Sequence, residues 1–446
     1  MVIVGGGPAG LACAEALFEV GVEFVVLEAR GRVGGRAFTD PDLAPGIPVE
    51  LGAQMVHGRH GATHAWLEES GLKCRRYPTT LHGWFRSGDR FSSTLGYLLP
   101  RPGPFGLRSL LRGVRTIPRE LLRPGRPGRT LAGYLDHRRE PAGSRLLVEL
   151  LQAHAWAADP EEIGLDALAL EEKGSAEPFG FRNYQVLHGY SELMRRRAAY
   201  YGPAVRLGQE VRSIRWGPRG VQLTAVDRRT GVEQKHEAGR AVITVPLGVL
   251  RSGGIEFDPS LPAEKLGSLQ RTGFGSALVT AIRFRRPEVP RRLGRTILLW
   301  GGGPTSFLRP SFGLRGSEEV WVGFTAGREA RRRAQLLDAE VAEAVLEELR
   351  SFSPGAPWGA PAGVVIARWG TDPFAQGAYS FPSIRSRPGD RTELARPVGE
   401  RLFFAGEATH CGGEAGTVHG AIESGWRAAR EVVESLQPSS SVRTPA

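Results

Sequence analysis

The segment MVIVGGGPAGLACAEALFEVGVEFVVLE (1–28) joins a short apolar run, a glycine-rich turn, an amphipathic stretch and a second apolar run. The runs MVIV and VEFVVLE predict two buried strands, and LACAEALFEV between them predicts a helix. Gly21 predicts the end of that helix at its C′ position. A strand, a helix and a second strand in this order predict a βαβ unit with a parallel sheet.

The three glycines of the turn have the spacing of a dinucleotide-binding loop. Gly5 permits the tight turn, Gly7 lets the backbone approach a pyrophosphate, and Gly10 lets helix and strand pack closely. The helix that follows offers N–H groups and a favourable dipole to an anion. Glu28 ends the second strand, where a carboxylate accepts ribose hydroxyls and repels a 2′-phosphate. Together these features predict dinucleotide binding, whereas a glycine-rich turn alone has no such implication.

The chain is long and basic, with 446 residues and a net charge of +11. Its length predicts two domains or one large interleaved pair. The positive charge is mostly arginine, and the basic stretch 101–129 carries no nucleic-acid-binding motif, so we expect a solvated insertion there and no nucleic-acid partner. No apolar run is long enough for a transmembrane helix. With VIVGGG at residue 2, no signal peptide is expected.

The number and spacing of the cysteines indicate the redox state of the cellular compartment. Cys13, Cys74 and Cys411 are an odd number without a CxxC pair. Neither a disulfide framework nor a metal site is predicted, and a reducing, cytoplasmic location fits.

The stretch ARGRVGGRAFT (29–39) follows Glu28 directly. Its Gly-Gly-Arg run resembles the second fingerprint of flavoproteins related to glutathione reductase and to the amine oxidases. The resemblance implies that Arg30 and Gly35 contact FAD and that Arg36 neutralises its pyrophosphate. Val211 is a further contact that it implies.

Three more stretches narrow this resemblance to the flavin-dependent amine oxidases, a family that includes monoamine oxidases, polyamine oxidases and flavin-type lysine demethylases. ELGAQMVHG (50–58) is similar to the family's segment along the flavin, and VITVPLGVLRSGGIEFDPSLPAEK (242–265) to the segment between its two domains. ARWGTDPFAQGAYSFPS (367–383) resembles the segment that carries active-site aromatics. In that segment the resemblance implies Tyr379 as one wall of an aromatic cage and Trp369 as a neighbour of the isoalloxazine, although a core tryptophan explains Trp369 equally well.

The C-terminal stretch RLFFAGEATHCGGEAGTVHGAIESGWRAA (401–429) resembles the family's last flavin motif. The resemblance implies that the loop from Gly406 wraps the cofactor, with Glu407 as a hydrogen-bonding acid. It places Thr417 at the second cage position and Val418 at the start of a helix that points to the flavin's pyrimidine edge. A helix N-terminus there stabilises the negative charge of a reduced flavin.

Two departures from the family pattern affect function. The family often attaches FAD through a cysteine just before a tyrosine, but Ala378 holds that position and Cys411 lies elsewhere in the loop, so noncovalent FAD is expected. Many members place a lysine near flavin N5, but in GFGSALVTAIRF (273–284) that position is Val279. The resemblance ties this lysine to the reaction of reduced flavin with oxygen. Its loss leaves hydride transfer possible, because that chemistry belongs to the flavin.

We therefore predict an α/β fold with a Rossmann-like FAD-binding domain of the glutathione reductase-related type, interleaved with an α+β substrate domain. The FAD domain is assigned to 1–75, 196–265 and 385–436, the substrate domain to 76–195 and 266–384, and 437–446 to a disordered tail.

The predicted activity is oxidation of the C–N bond of a small amine or amino acid by hydride transfer to the flavin, with O₂ as acceptor, hydrogen peroxide as product and no metal. Two alternatives remain open from the sequence. One is an L-amino acid oxidase or desaturase-type flavoenzyme of a biosynthetic pathway. The other is a non-catalytic protein that keeps FAD for binding or folding.

Overall fold

A computed structural model describes most of the chain. The described residues are 1–59, 61–77, 82–87, 90–93, 129–140, 145–146, 148–174, 182–285, 293, 296–301, 303–355 and 358–437. The basic stretch 101–129, apart from Arg129, and the tail 437–446, apart from Gln437, lie outside them, and the expectations for both stay predictions.

The helices of the described residues are given in chain order. They are α1 (Pro8–Glu19), α2 (Ala62–Glu69), α3 (Leu131–His137), α4 (Leu165–Gly174), α5 (Gly189–Ala199), α6 (Leu247–Arg251), α7 (Ala263–Arg271), α8 (Gly327–Arg333), α9 (Asp338–Ser351), α10 (Asp390–Ala395) and α11 (Val418–Leu436). A π-helical turn covers Glu149–His154, and 3₁₀ turns cover Gly202–Ala204 and Glu407–Thr409.

The strands follow the same order. They are β1 (Val2–Val4), β2 (Val25–Glu28), β3 (Thr39–Asp40), β4 (Val49–Glu50), β5 (Val56–His57), β6 (Cys74–Arg76), β7 (Gly83–Ser87), β8 (Arg90–Ser93), β9 (Asn183–Val186), β10 (Val205–Leu207), β11 (Gln209–Gly217), β12 (Gly220–Asp227), β13 (Glu233–Ala238), β14 (Ala241–Ile243), β15 (Glu256–Asp258), β16 (Gly273–Phe274), β17 (Ala277–Arg285), β18 (Leu298–Trp300), β19 (Thr305–Leu308), β20 (Glu318–Ala326), β21 (Gly363–Arg368), β22 (Ser380–Phe381) and β23 (Leu402–Phe404).

The N-terminal βαβ unit forms the middle of a parallel sheet in the order β10-β2-β1-β14-β23. Val2 lies between Val25 and Ala241 in register, so β1 is paired on both sides. The helix prediction is accurate, because α1 ends at Glu19 and Gly21 follows with φ +71°. The second strand is shorter than predicted and starts at Val25, because Val22 still donates its N–H to Leu17 O in the turn that leaves the helix.

Both faces of this sheet are buried. Val2 and Val4 pack into one apolar cluster, while Ile3 between them packs into another on the opposite face. Continuous apolar runs such as VIV are typical of parallel strands that are covered on both sides. The predicted Rossmann-like α/β fold is therefore confirmed.

The last helix packs against the first. A Cβ built on Gly425 of α11 would lie 2.2 Å from the carbonyl oxygen of Ala9 in α1, so the two helices touch through backbone. This close contact brings the C-terminal loop over the glycine-rich turn, although the two segments are about 400 residues apart in sequence.

A second, seven-stranded sheet has the order β21-β17-β20-β19-β18-β7-β8. In this sheet β17 pairs with β20 in antiparallel register, with Val279 opposite Phe324. The helix α9 packs on the sheet through Val341, Val345 and Leu349. The chain passes between the two sheets more than once, which agrees with an interleaved fold. The domain boundaries stay a prediction.

Candidate active site

One cavity of about 870 Å³ connects the two sheets. Loops at the carboxyl ends of the parallel strands line one part, and the antiparallel sheet lines the other. Ligands in open α/β folds bind outside the carboxyl ends of the strands, so the cavity lies where a nucleotide is expected. Its lining includes every candidate residue that the sequence analysis named except Gly10, which lies behind the glycine turn.

The glycine turn has the shape that a pyrophosphate requires. A Cβ on Gly10 would lie 1.9 Å from Gly5 O, so only glycine allows α1 to begin so close to β1. Gly5 has φ +109°, a backbone region that other residues rarely adopt. A Cβ on Gly7 would meet no atom within 4 Å and would project into free space beside the cavity. The turn therefore leaves room for the phosphates where a dinucleotide needs it, and these residues fit FAD.

Glu28 is buried at the edge of the cavity. Its Oε2 accepts a hydrogen bond from Gly6 N at 2.6 Å and its Oε1 one from Arg30 N at 2.8 Å. Burial raises the pKa of this carboxyl group, and the two backbone N–H groups oppose the rise. A carboxylate has about four acceptor positions, so Glu28 keeps capacity for ribose hydroxyls.

The two arginines of the second fingerprint form ion pairs that sequence reasoning missed. Arg30 binds Asp372 with two hydrogen bonds of 3.0 and 2.5 Å. Arg36 Nη1 donates to Ala378 O at 2.6 Å and to Glu407 Oε1 at 3.0 Å. Both side chains therefore tie the N-terminal loop to the segment that carries Tyr379. Neutralisation of the pyrophosphate by Arg36 stays a prediction.

Glu407 is the centre of a polar network below the cavity. It accepts hydrogen bonds from Ser380 N at 3.2 Å, from Ser380 Oγ at 2.6 Å and from Gly416 N at 2.9 Å, in addition to Arg36. Burial alone would raise its pKa, but Arg36, Ser380 and Arg391 outweigh burial and the net pKa is lowered. An ionised Glu407 thus holds three separate segments together beside the predicted flavin position.

The N-terminus of α11 opens at the cavity. Thr417 is the N-cap, where its hydroxyl oxygen accepts from Gly420 N at 3.0 Å and its O–H donates to Glu414 O at 2.6 Å. Val418 begins the helix and also lines the cavity. The hydroxyl of Thr417 is thus engaged in capping, and the helix directs its positive end towards the site.

Two aromatic side chains lie close to Gly416. A Cβ on Gly416 would lie 3.3 Å from Tyr379 Cδ2 and 3.4 Å from Trp156 Cζ3. Tyr379 O–H donates to Ala155 O at 2.7 Å, and burial raises the pKa of this phenol. Sequence analysis named Tyr379 but missed Trp156, since the stretch 76–195 has no recognisable pattern. The adjacent Ala157 has φ +53°, a conformation visible only in the structure.

Trp369 is anchored in the core and also lines the cavity, and its place beside the isoalloxazine stays a prediction. It is 5% exposed, and its Nε1 donates to Leu51 O at 2.7 Å. Its ring also lines the cavity, where a Cβ on Gly52 would approach within 3.3 Å. The side chain is thus a fixed, core-anchored part of the wall.

Val279 lies in the middle of β17 and lines the cavity. Its side chain is 1% exposed and belongs to an apolar cluster with Leu51, Val322 and Trp369. No lysine is found among the residues described as lining the cavity. The site at this position is apolar, as the sequence predicts.

The remaining predicted contacts also line the cavity. Val211 is 5% exposed and lies next to a register shift in β11, and Gly406, which follows Ala405 after the end of β23, has φ +128°. Ala378 lies at the family's attachment position, and none of the three cysteines lines the cavity. The contacts of these residues with a cofactor stay predictions.

The described residues offer neither a metal centre nor a transmembrane helix. They contain no group of three or more side chains suited to a metal ion. No helix among them is long and apolar enough to span a bilayer. Cys13, Cys74 and Cys411 are all free thiols.

A glycine-rich βαβ turn, an acid at the end of its second strand and an adjoining aromatic-walled cavity define a dinucleotide-binding protein. The chain matches the family of flavin containing amine oxidoreductases over residues 8–433 and belongs to it. This confirms the predicted family and its FAD cofactor.

The relatives agree with this assignment. The chain is 30% identical to lysine-specific histone demethylase 1 homolog 1 of Oryza sativa subsp. japonica over 98% of its own length and 52% of that protein. It is also 30% identical to polyamine oxidase 4 of the same plant, over 97% of this chain and 88% of the relative. The chain thus spans about half the length of the demethylase homologue.

Solved structures share the fold. Cyclohexylamine oxidase from Brevibacterium oxydans IH-35A has a TM-score of 0.80 at 23% identity, covering 98% of this chain and 99% of its own. Putrescine oxidase bound to putrescine has a TM-score of 0.82 at 21% identity, covering 97% and 98%. These likenesses confirm the fold.

Proposed function

We propose that this protein oxidises the C–N bond of a small amine with noncovalently bound FAD. The substrate carbon loses a hydride, and the resulting imine is hydrolysed in water to a carbonyl compound and an amine or ammonia. The bound flavin supplies the hydride acceptor. Molecular oxygen is the proposed final acceptor, with hydrogen peroxide as the product of reoxidation.

The observation that carries this proposal is the continuity of the cavity. The glycine turn around Gly7 and the sheet position of Val279 line the same cavity. FAD held along the turn would therefore share one space with a substrate beside the antiparallel sheet.

The chain's own contribution is positioning and exclusion of water. Tyr379 and Trp156, which both line the cavity, restrict a flat or extended substrate, and the O–H of Tyr379 is held by Ala155 O. Val279 and Phe324 form an apolar floor in which a neutral amine is favoured over its ammonium form. The helix N-terminus at Thr417 stabilises negative charge nearby.

The charged residues of the cavity favour an amine over a carboxylate substrate. Glu171 and Glu172 of α4 line it, and Glu171 forms an ion pair with Arg391. Acidic side chains raise the local concentration of cationic amines and repel carboxylates. We therefore place amine oxidation ahead of amino acid oxidation.

The test is an anaerobic titration of the purified holoprotein with amines and amino acids, monitored by the visible flavin band. Bleaching by amines is the expected result, and admission of air then measures reoxidation. Bleaching by amino acids alone would replace the proposed substrate class. A yellow protein that no compound bleaches would support the non-catalytic alternative.

We also propose a reducing, cytoplasmic location, which the absence of a CxxC pair and the free state of all three cysteines support. Nucleic acid is not a proposed partner, because the described cavity is lined by apolar and acidic side chains as well as arginines.

A further inference from the structure

A pair of uncharged polar side chains lies on the wall of the cavity opposite the nucleotide loops. His154 Nε2 and Ser306 Oγ are 2.8 Å apart, within hydrogen-bond distance. His154 ends the π-helical turn Glu149–His154, and Ser306 lies on β19. Both residues line the cavity. π-Helical turns are rare and are frequent at functional sites.

The strand register places this pair at a defined distance from Val279. Val279 is opposite Phe324 on β20, and Phe324 is opposite Ser306 on β19. Neighbouring strands are about 4.8 Å apart, so Ser306 lies roughly 10 Å from Val279 across the sheet. The imidazole of His154 packs edge-on against Phe324, with ring centroids 5.1 Å apart. Across these three strands the side chains therefore change from apolar, at Val279 and Phe324, to polar, at Ser306 and His154.

The pair carries no charge at neutral pH. Burial lowers the pKa of His154 to about 4, and no charged neighbour contributes to that shift. Nδ1 of His154 has no hydrogen-bond partner among the residues the structure describes, and the same residues offer Ser306 Oγ only the imidazole. The pair thus has unused hydrogen-bonding capacity beside the cavity.

We propose that His154 and Ser306 form a specificity site for an uncharged hydroxyl at the far end of the amine substrate, so that the preferred substrate class is an amino alcohol. This proposal rests on the proposed function. A hydroxyl both donates and accepts, so it satisfies the pair in either imidazole tautomer. An ammonium group only donates, and its burial without a counter-charge is costly.

Three probes of equal chain length separate these possibilities: pentylamine, aminopentanol and pentanediamine. Each is titrated anaerobically into the holoprotein. The perturbation of the flavin spectrum reports binding, and bleaching reports oxidation. The wild-type protein should bind aminopentanol about five- to tenfold more tightly than pentylamine, the difference that one hydrogen bond contributes.

The variants localise this preference. His154→Leu and Ser306→Ala should reduce it to about twofold or less without weakening pentylamine binding, because they remove one hydrogen-bonding group each. His154→Gln, which replaces the imidazole by an amide that can donate and accept hydrogen bonds, should keep part of the preference. His137→Leu on the exposed end of α3 is the matched control and should keep all of it. A purely structural role would weaken all three probes equally.

Several outcomes overturn this inference. The wild type could bind pentylamine and aminopentanol equally, bind pentanediamine more tightly than aminopentanol, or bind none of the three probes. The preference for aminopentanol over pentylamine could also survive in His154→Leu. The proposed function fails on a different readout: a His154-dependent preference for aminopentanol without bleaching would support the specificity site and refute amine oxidation. Bleaching of the flavin without that preference would support amine oxidation and refute the specificity site.

Discussion

The nucleotide side and the substrate side of the cavity are built by different means. On the nucleotide side, backbone and glycines shape the site, as at Gly7 and Gly10, where hardly any side chain intervenes. On the substrate side, side chains from distant segments make the surface, as with Trp156, Val279 and Ser306. Backbone shape depends on a short local pattern, whereas a side-chain surface depends on which segments meet. The effects of substitutions on the two sides should therefore differ both in kind and in magnitude.

The largest effect is expected at Gly10. Gly10→Ala places a Cβ 1.9 Å from Gly5 O, which the backbone cannot relieve without moving α1 from β1. We expect loss of more than about 3 kcal/mol of stability and a colourless or insoluble product. Thermal unfolding and the flavin-to-protein absorbance ratio measure both effects.

Gly7→Ala is the matched control, because its Cβ would meet no atom of the chain within 4 Å. We expect this variant to fold and to bind FAD more weakly. A Gly10→Ala protein as yellow and as stable as the wild type would contradict a backbone-built nucleotide side.

Substitution of Glu407 tests the contact between the nucleotide side and the substrate side of the cavity. Glu407→Ala leaves Arg36 without its carboxylate and removes the acceptor for Ser380 and Gly416. Breaking a buried ion pair from one side costs about 3 kcal/mol, so we expect a clear fall in denaturation midpoint together with weaker FAD binding. Glu434→Ala, at an exposed position of α11, should leave both unchanged.

The pH dependence gives a second check on Glu407. Its folded pKa lies below the ordinary value of 4.5, so its stabilising contribution is present above pH 4.5 and is lost as the pH falls through the folded pKa. Glu407→Gln should therefore unfold with a shallower acid dependence than the wild type. If the stability of the variant and of the wild type fell equally with decreasing pH, the assignment of an ionised Glu407 would be contradicted.

Val279 tests the substrate side through chemistry. Val279→Lys introduces an amine at the position where the family carries a lysine, and the wall there is apolar. We expect reoxidation of the reduced flavin in air to accelerate by about tenfold, equivalent to about 1.4 kcal/mol in the barrier. Stopped-flow mixing with oxygen measures the rate. Leu298→Lys, on β18 of the same cavity wall, is the positional control, and equal acceleration by both variants would refute the specific role of position 279.

A pH-dependent effect is expected at Glu50, a buried carboxyl group at the end of β4. Glu50 accepts hydrogen bonds from Tyr190 N at 2.9 Å and Thr39 Oγ1 at 2.8 Å, and burial raises its pKa to about 8. The folded state therefore holds the proton more tightly than the unfolded state, and wild-type stability should fall as the pH rises from about 4.5 to 8.

Glu50→Gln removes this titration and keeps an acceptor oxygen. Relative to wild type, it should be clearly more stable at pH 8.5 and little changed at pH 5. Urea denaturation at both pH values measures the difference, and Glu68→Gln on the exposed face of α2 is the control. A variant that is equally affected at the two pH values would show that Glu50 does not titrate in this range.

The sequence alone predicted the parallel sheet, the family and the FAD cofactor. The reason is physical: the turn at Gly5–Gly10, the acid at Glu28 and the helix after Thr417 act through local backbone conformation, and each leaves a short pattern. It also predicted an apolar position at Val279. The proposed cofactor contacts and domain boundaries stay predictions.

Only the tertiary structure placed Trp156 and Tyr379 beside the same glycine, paired Arg30 with Asp372 and brought His154 to Ser306. These partners are separated by 152 to 342 residues in the chain. Their contacts depend on strand register and on the packing of α11 against α1, which no local pattern encodes. The nucleotide side of this protein follows from its sequence, because backbone shape is local, and the substrate side follows from its fold, because side-chain proximity is not.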